Sequence, residues 1–179
     1  KGQNNVAILG GARGTNEDAF AWAMLADKLG IDQRDAQLGD GLSPEVFGLA
    51  QATIDETCSA KSIILLAPDL KEELPVLYLR LRDAAQKRKA RILEFSCRDS
   101  GLTPYAWKTF SFEPGAQAHA VRDALAKPEV KEQVANGEVV VVLGRQNLAE
   151  SEVFTLQALS EILTVVPSAK VLPVLRRGN

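Results

Sequence analysis

The string Gly10-Gly11-Ala12-Arg13-Gly14 follows the apolar run Val6-Ala7-Ile8-Leu9 and precedes Thr15-Asn16-Glu17-Asp18. A glycine turn between a strand and a helix points backbone N–H groups and a positive helix end toward phosphate. Gly10 and Arg13 are therefore candidate binding residues. The spacing departs from Gly-x-Gly-x-x-Gly, and no Lys-Ser or Lys-Thr follows to make a P-loop. Glu17 and Asp18 already sit at the positive helix end, which suits a plain tight turn equally well.

Further candidates stand after later apolar runs, where open α/β folds place their ligands: Asp69, Arg98, Asp99 and Arg145. Arg13, Arg98 and Arg145 gathered at one sheet edge would clamp an anion bidentately. They equally match Asp69, Asp99, Glu72 and Glu150 as structural ion pairs, and that pairing is the simpler reading. His119, with Asp123 one helical turn on, reads as a surface helix residue. Cys58 and Cys97 read as packing residues, and Tyr105 and Trp107 as packing beneath a loop. No Ser/His/Asp arrangement or paired-acid motif stands out, so no catalytic residue is assigned.

Positioning these residues requires an alternation of strands and helices. Thr15 with Asp18 resembles a capping box, and the helix it opens should run to Leu29 and stop at Gly30. That helix is apolar over so much of its girth that burial is expected. Residues 31–52 read as loop with one helical turn after Ser43, and Thr53–Cys58 as a short helix. Strands are expected over Ser62–Ala67, Arg91–Ser96, Thr109–Glu113, Val139–Leu143 and Ala169–Val174, the last at an edge because of Pro173. Helices are expected from Pro75 to Lys87, over Ala116–Ala126, over Pro128–Asn136 and from Ala149 to Val165. The strands are continuous apolar runs, as in a parallel sheet covered on both faces. The fold expected is an open, doubly wound, mostly parallel α/β sheet of Rossmann type. Sliding the chain so that Val6–Gly10 falls on Val140–Gly144 also brings Phe20 onto Phe154 and Leu25 onto Leu159, as two strand–loop–helix units would.

Composition narrows the function classes. Of 179 residues, 46% are apolar and 25% charged, the profile of an ordinary globular chain. A net charge of −2 supplies little counterion release, so no nucleic-acid partner is expected. The longest apolar runs fall far short of the ~20 residues of a membrane span, so no direct membrane insertion is expected either. Two cysteines and one histidine cannot supply the four ligands of a structural zinc or an iron–sulfur cluster; no metal site is assigned. Two scattered thiols suit a reducing compartment. The first residue is Lys1 and the last Asn179, and residues 1–179 are taken as one α/β domain, a fragment of a larger subunit.

Several stretches carry a family resemblance. Val6–Ala19 resembles the strand–turn–helix that opens the central domains of molybdopterin-type oxidoreductases. Leu66–Val76 and Phe112–Ala118 resemble two later signatures of those domains. More narrowly, Leu38–Leu42, Pro68–Arg82, Arg98–Trp107, Val141–Glu152 and Leu175–Asn179 resemble the large G subunit of bacterial NADH-quinone oxidoreductase, respiratory complex I. The resemblance implies the molybdopterin oxidoreductase central-domain type of fold. It also implies a non-catalytic scaffold role in NADH-to-quinone electron transfer. Implied partners are other domains of the same subunit and neighbouring complex I subunits, in the cytoplasmic peripheral arm. The parent's iron–sulfur clusters would lie outside this fragment, which would hold no cofactor. In molybdenum-containing relatives such a domain helps hold a pterin guanine dinucleotide. Here Asp69 stands in place of the Asn of Gly-x-Asn-Pro, with Pro68 before it. Ser96-Cys97-Arg98 stands where Asp-Pro-Arg often reads the guanine. Gly10, Arg13, Asp69 and Arg98 would then line a vestigial cleft. A molybdopterin guanine dinucleotide or other nucleotide-binding domain is the alternative, and a free-standing NAD-dependent enzyme a third reading.

Overall fold

Local sequence rules set most of the element boundaries. The computed structural model of the chain describes residues 6–10, 14–35, 42–147 and 149–175. The chain divides into two compact units, Lys1–Gly39 and Asp40–Asn179, where the sequence alone suggests one domain over 1–179.

In the first unit, strand β1 (Ile8–Leu9) pairs in parallel with β2 (Arg34–Asp35) around helix α1 (Asn16–Leu29). Thr15 Oγ1 accepts from the Asp18 N–H and the Asp18 carboxylate accepts from the Thr15 N–H, a complete capping box. Gly30, at φ 63°, ends the helix in the left-handed conformation that glycine adopts freely. The expected burial of α1 is not met. Ala26 is its one buried residue, while Phe20, Trp22, Met24, Leu25 and Leu29 are exposed. Two strands of two residues each cover only a narrow stripe of a helix that is apolar most of the way round. Gly11, Ala12 and Arg13 lie outside the described residues, as do residues 36–41.

In the second unit a 3-10 turn (Pro44–Gly48), N-capped by Ser43, precedes helix α2 (Ile54–Ser59), which opens with a capping box of Thr53 and Glu56. Then follow β3 (Ser62–Leu66), α3 (Leu70–Glu73), α4 (Pro75–Lys87), β4 (Arg91–Ser96) and, after a 3-10 turn at Thr103–Tyr105, β5 (Lys108–Ser111). The chain continues through α5 (Gln117–Leu125), α6 (Pro128–Ala135), β6 (Val139–Leu143), α7 (Glu152–Val165) and β7 (Lys170–Pro173).

The five strands lie in the order β5-β4-β3-β6-β7 and every pairing is parallel. The chain winds outward from β3 to β5, returns to β6 beside β3, and winds outward again to β7. This is a doubly wound α/β fold. Alternate strand residues feed opposite faces. Ile64, Leu66, Leu93, Phe95, Val141 and Leu143 pack with residues of α5, α6 and α7. Ile63, Leu65, Ile92, Val140 and Val142 pack with residues of α2 and α4. Because both faces are covered, β3 and β6 carry no polar alternation, and each fully buried Ile, Leu or Val contributes about 1.5–3 kcal/mol. No helix among the described residues is long and apolar enough to cross a membrane.

Candidate functional site

Parallel strands gather all their C-terminal ends at one edge, and β3 and β6 are the neighbours from which the chain departs in opposite directions. That switch point is where open α/β sheets place ligands. Pro68-Asp69 follows β3 there, and Gly144-Arg145-Gln146-Asn147 follows β6.

The segments that follow β3, β6 and β7 pack closely against one another at these strand ends. The Gly144 N–H donates to Leu66 O at 2.8 Å, and the Val174 N–H to Leu143 O at 2.7 Å. A Cβ built on Gly144 would stand 2.6 Å from Val174 Cγ2, 2.9 Å from Val174 O and 3.2 Å from Pro68 Cδ. Only a glycine lets these three segments approach so closely.

Asp69 is committed to local structure. One carboxylate oxygen accepts from the Lys71 N–H at 2.9 Å and caps α3. Both oxygens also accept from the Gly101 N–H, each at 3.2 Å. Gly101 in turn lies against α3, where an added Cβ would meet Lys71 Cβ at 2.7 Å. The exposed Arg98 guanidinium lies 3.6 Å from the exposed Glu72 carboxylate. Asp69 and Arg98 thus come to one corner, around α3. Gly10 follows β1 in the first unit, and Arg13 lies outside the described residues. Arg145 Nε donates to the backbone carbonyls of Asn147 and Glu150, at 3.2 and 2.9 Å.

Beside this corner lies a polar cluster that residue types alone do not single out. Glu94, 1% exposed in the middle of β4, accepts from three hydroxyls. Ser100 Oγ donates to its Oε1, while Thr103 Oγ1 and Thr109 Oγ1 donate to its Oε2 at 2.8 and 3.1 Å. A lone acid inside an apolar strand was the signal available for it. Glu150 is also fully buried. Its Oε1 accepts from the Gly115 N–H at 2.7 Å, and its Oε2 has no partner. Gln146 donates through Nε2 to Phe95 O, leaving Oε1 unpartnered. Gln117, the first residue of α5, is fully buried with both amide atoms unpartnered. Asn147 Nδ2 reaches Cys97 Sγ at 3.5 Å. Burial pushes the Cys97 thiol up, and the Glu150 charge adds to the shift.

His119 is exposed, Cys58 is buried, and Tyr105 and Trp107 are half-buried against the two cores. Among the described residues, no three His, Cys, Asp or Glu side chains are arranged to hold a metal ion.

Comparison with known proteins places the chain in a broader setting. It is distantly similar to the G subunit of NADH-quinone oxidoreductase. The sequences from Mycobacterium bovis and Mycobacterium tuberculosis are each 27% identical to it over 154 residues. That stretch is 80% of this chain and 19% of each relative, so the chain spans under a fifth of the curated relatives it matches. No protein-family model matches the chain. Among solved structures, one chain of the formyltransferase/hydrolase complex from Methylorubrum extorquens superposes with a TM-score of 0.52. Its identity is 17%, and the match covers 96% of this chain and 53% of that one. That likeness is one of fold: both are α/β.

Proposed function

We propose that this chain is a non-catalytic scaffold segment of an oxidoreductase subunit akin to the G subunit of NADH-quinone oxidoreductase. In this reading it packs against other domains of the same subunit and against neighbouring subunits. It lies in a cytoplasmic peripheral arm and supports electron transfer from NADH to quinone. The iron–sulfur clusters lie elsewhere in the subunit, and no cofactor is held here.

One observation carries the reading. At the switch point, near which a dinucleotide would lie in such a sheet, Pro68 and Val174 stand so close to Gly144 that not even a methyl group fits on it. Of the candidate anchors, Asp69 serves as a helix cap and Arg98 as the partner of Glu72. Asp69 would have to give up its cap to grip a guanine, and the Glu72 carboxylate beside Arg98 disfavours a second anion there.

A second reading, a domain that binds a pterin guanine or other dinucleotide at this edge, draws on the buried, unpartnered atoms of Gln117, Gln146 and Glu150. Thermal melting in the presence of guanine and nicotinamide dinucleotides separates the two. A ligand at 100 times its dissociation constant stabilises by about 2.7 kcal/mol. The scaffold reading expects no change in melting temperature, and a saturable upward shift would overturn it.

A further inference from the structure

At the other end of the sheet, α2 and α4 hand the chain to the N-termini of β3 and β4. A cavity of about 350 Å³ opens there, lined by Cys58, Leu79, Arg80, Arg82, Asp83 and Arg88. Half of these residues are arginines, and their charges are not all answered. Arg80 is paired with Asp55. Asp83, the one acid in the wall, is held by Lys87 at 2.5 Å. Among the described residues, Arg82 and Arg88 take part in no ion pair. The Arg82 guanidinium carbon stands 5.7 Å from the centre of the Tyr78 ring, and Arg88 Nη1 donates to Ser59 Oγ at 3.3 Å. Four cations (Arg80, Arg82, Lys87 and Arg88) against Asp55 and Asp83 leave a local surplus of two positive charges. This surplus sits in a chain whose net charge is −2.

Both guanidiniums act on the Asp83 carboxylate through space, yet neither makes an ion-pair contact with an acid among the described residues, which leaves their N–H donors open to an anion. Each presents a planar fork of N–H donors that fits a tetrahedral oxyanion through two parallel hydrogen bonds. Burial pushes the Cys58 thiol up against the opposing pull of Arg80 and Arg88. At neutral pH the thiol therefore brings no negative charge to compete for the arginines. We propose that this cavity binds a phosphate-type oxyanion, gripped by Arg82 and Arg88 and bordered by Arg80. The site is separate from the strand C-terminal edge and does not depend on the scaffold reading.

Isothermal titration of the 179-residue chain with pyrophosphate at low salt tests this. Saturable binding is expected, weakened roughly tenfold in Arg88→Gln and in Arg82→Gln, each the loss of a charge-assisted contact. Arg88→Lys, which keeps the charge and loses the fork, should fall between Arg88→Gln and the unaltered chain. Lys131→Gln, an exposed residue outside the cavity, should bind as the unaltered chain does. Arg88 lies at an exposed helix end, and circular dichroism of its variants confirms that they fold. No saturable heat up to about 10 mM pyrophosphate would overturn the proposal. Undiminished affinity in Arg88→Gln would do so too, as would equally tight binding of citrate, a carboxylate polyanion.

Discussion

Thr103 Oγ1 donates to Glu94 Oε2 at 2.8 Å, fastening the loop that leaves β4 back onto the strand it came from. With Ser100 and Thr109 as further donors, a carboxylate with 1% exposure is held by hydroxyls alone. Glu94→Ala leaves three half-buried hydroxyls without their acceptor and is expected to cost about 1–3 kcal/mol in urea denaturation. Glu94→Gln keeps the shape and places an NH2 among donors, costing about 1–2 kcal/mol. Equal losses in the two variants would contradict the hydroxyl ring.

Gly144 is fixed by what surrounds it. Gly144→Ala drives a methyl group to within 2.6 Å of Val174 Cγ2. Overpacking of this kind costs about 1–3 kcal/mol. The double variant Gly144→Ala/Val174→Ala should recover part of that loss, giving a non-additive cycle in denaturant melts. Strict additivity would show that the two positions do not touch.

Glu56 supplies a pH signature. The Lys170 ammonium, donating at 2.6 Å, and the Thr53 N–H hold its carboxyl down to about 2, against an ordinary 4.5. A carboxyl lowered in the folded chain stabilises fully above its unfolded value. That stabilisation is lost as pH falls through the folded one. The gap in melting temperature between the unaltered chain and Glu56→Gln should therefore hold steady above pH 4.5 and narrow toward pH 2. NMR titration of the Glu56 side chain gives the direct check; a midpoint near 4.5 would remove the basis for the effect.

Gln117 should gain from losing its amide. Both of its polar atoms are buried without partners, so Gln117→Met removes an uncompensated burial of polar groups. The variant is expected to be neutral or more stable by about 1 kcal/mol. A loss of more than about 1 kcal/mol would mean that buried water partners the amide in solution.

Much of the fold was legible because its signals are local. Thr15 with Asp18 and Thr53 with Glu56 stand at capping-box spacing, and both boxes close. Pro75 opens α4 and Gly30 ends α1. The central strands read as strands because burial on both faces removes polar positions from them. Other features were hidden for physical reasons. Strand β2 is Arg34-Asp35, two polar residues whose pairing to Ile8 and Leu9 no local pattern announces. Helix α3 is four residues long, and the 3-10 turn at Thr103–Tyr105 is shorter still. Of the candidate site, Arg98 beside Glu72 is one of several arginine–acid pairings that the sequence leaves open, while Arg145 donates to the backbone carbonyls of Asn147 and Glu150. The grip of Asp69 on the Gly101 N–H joins positions far apart in the chain. The burial of Gln117 and Glu150 could not be read from residue types that usually face water.

The two borders of the sheet are unlike. Along β7, the segment before α2 runs parallel, with the Ala52 N–H donating to Val171 O and the Val171 N–H to Ala50 O, each at 2.8 Å. Pro173 further along that strand has no N–H to give. A stray strand from another chain would find this margin already taken. Along β5 no further strand is paired among the described residues. Within the five-stranded sheet, and among the described residues, strand addition by another copy when the protein is stressed therefore meets its open margin at β5. The four residues Lys108–Ser111 are where a charge or a proline would guard against aggregation.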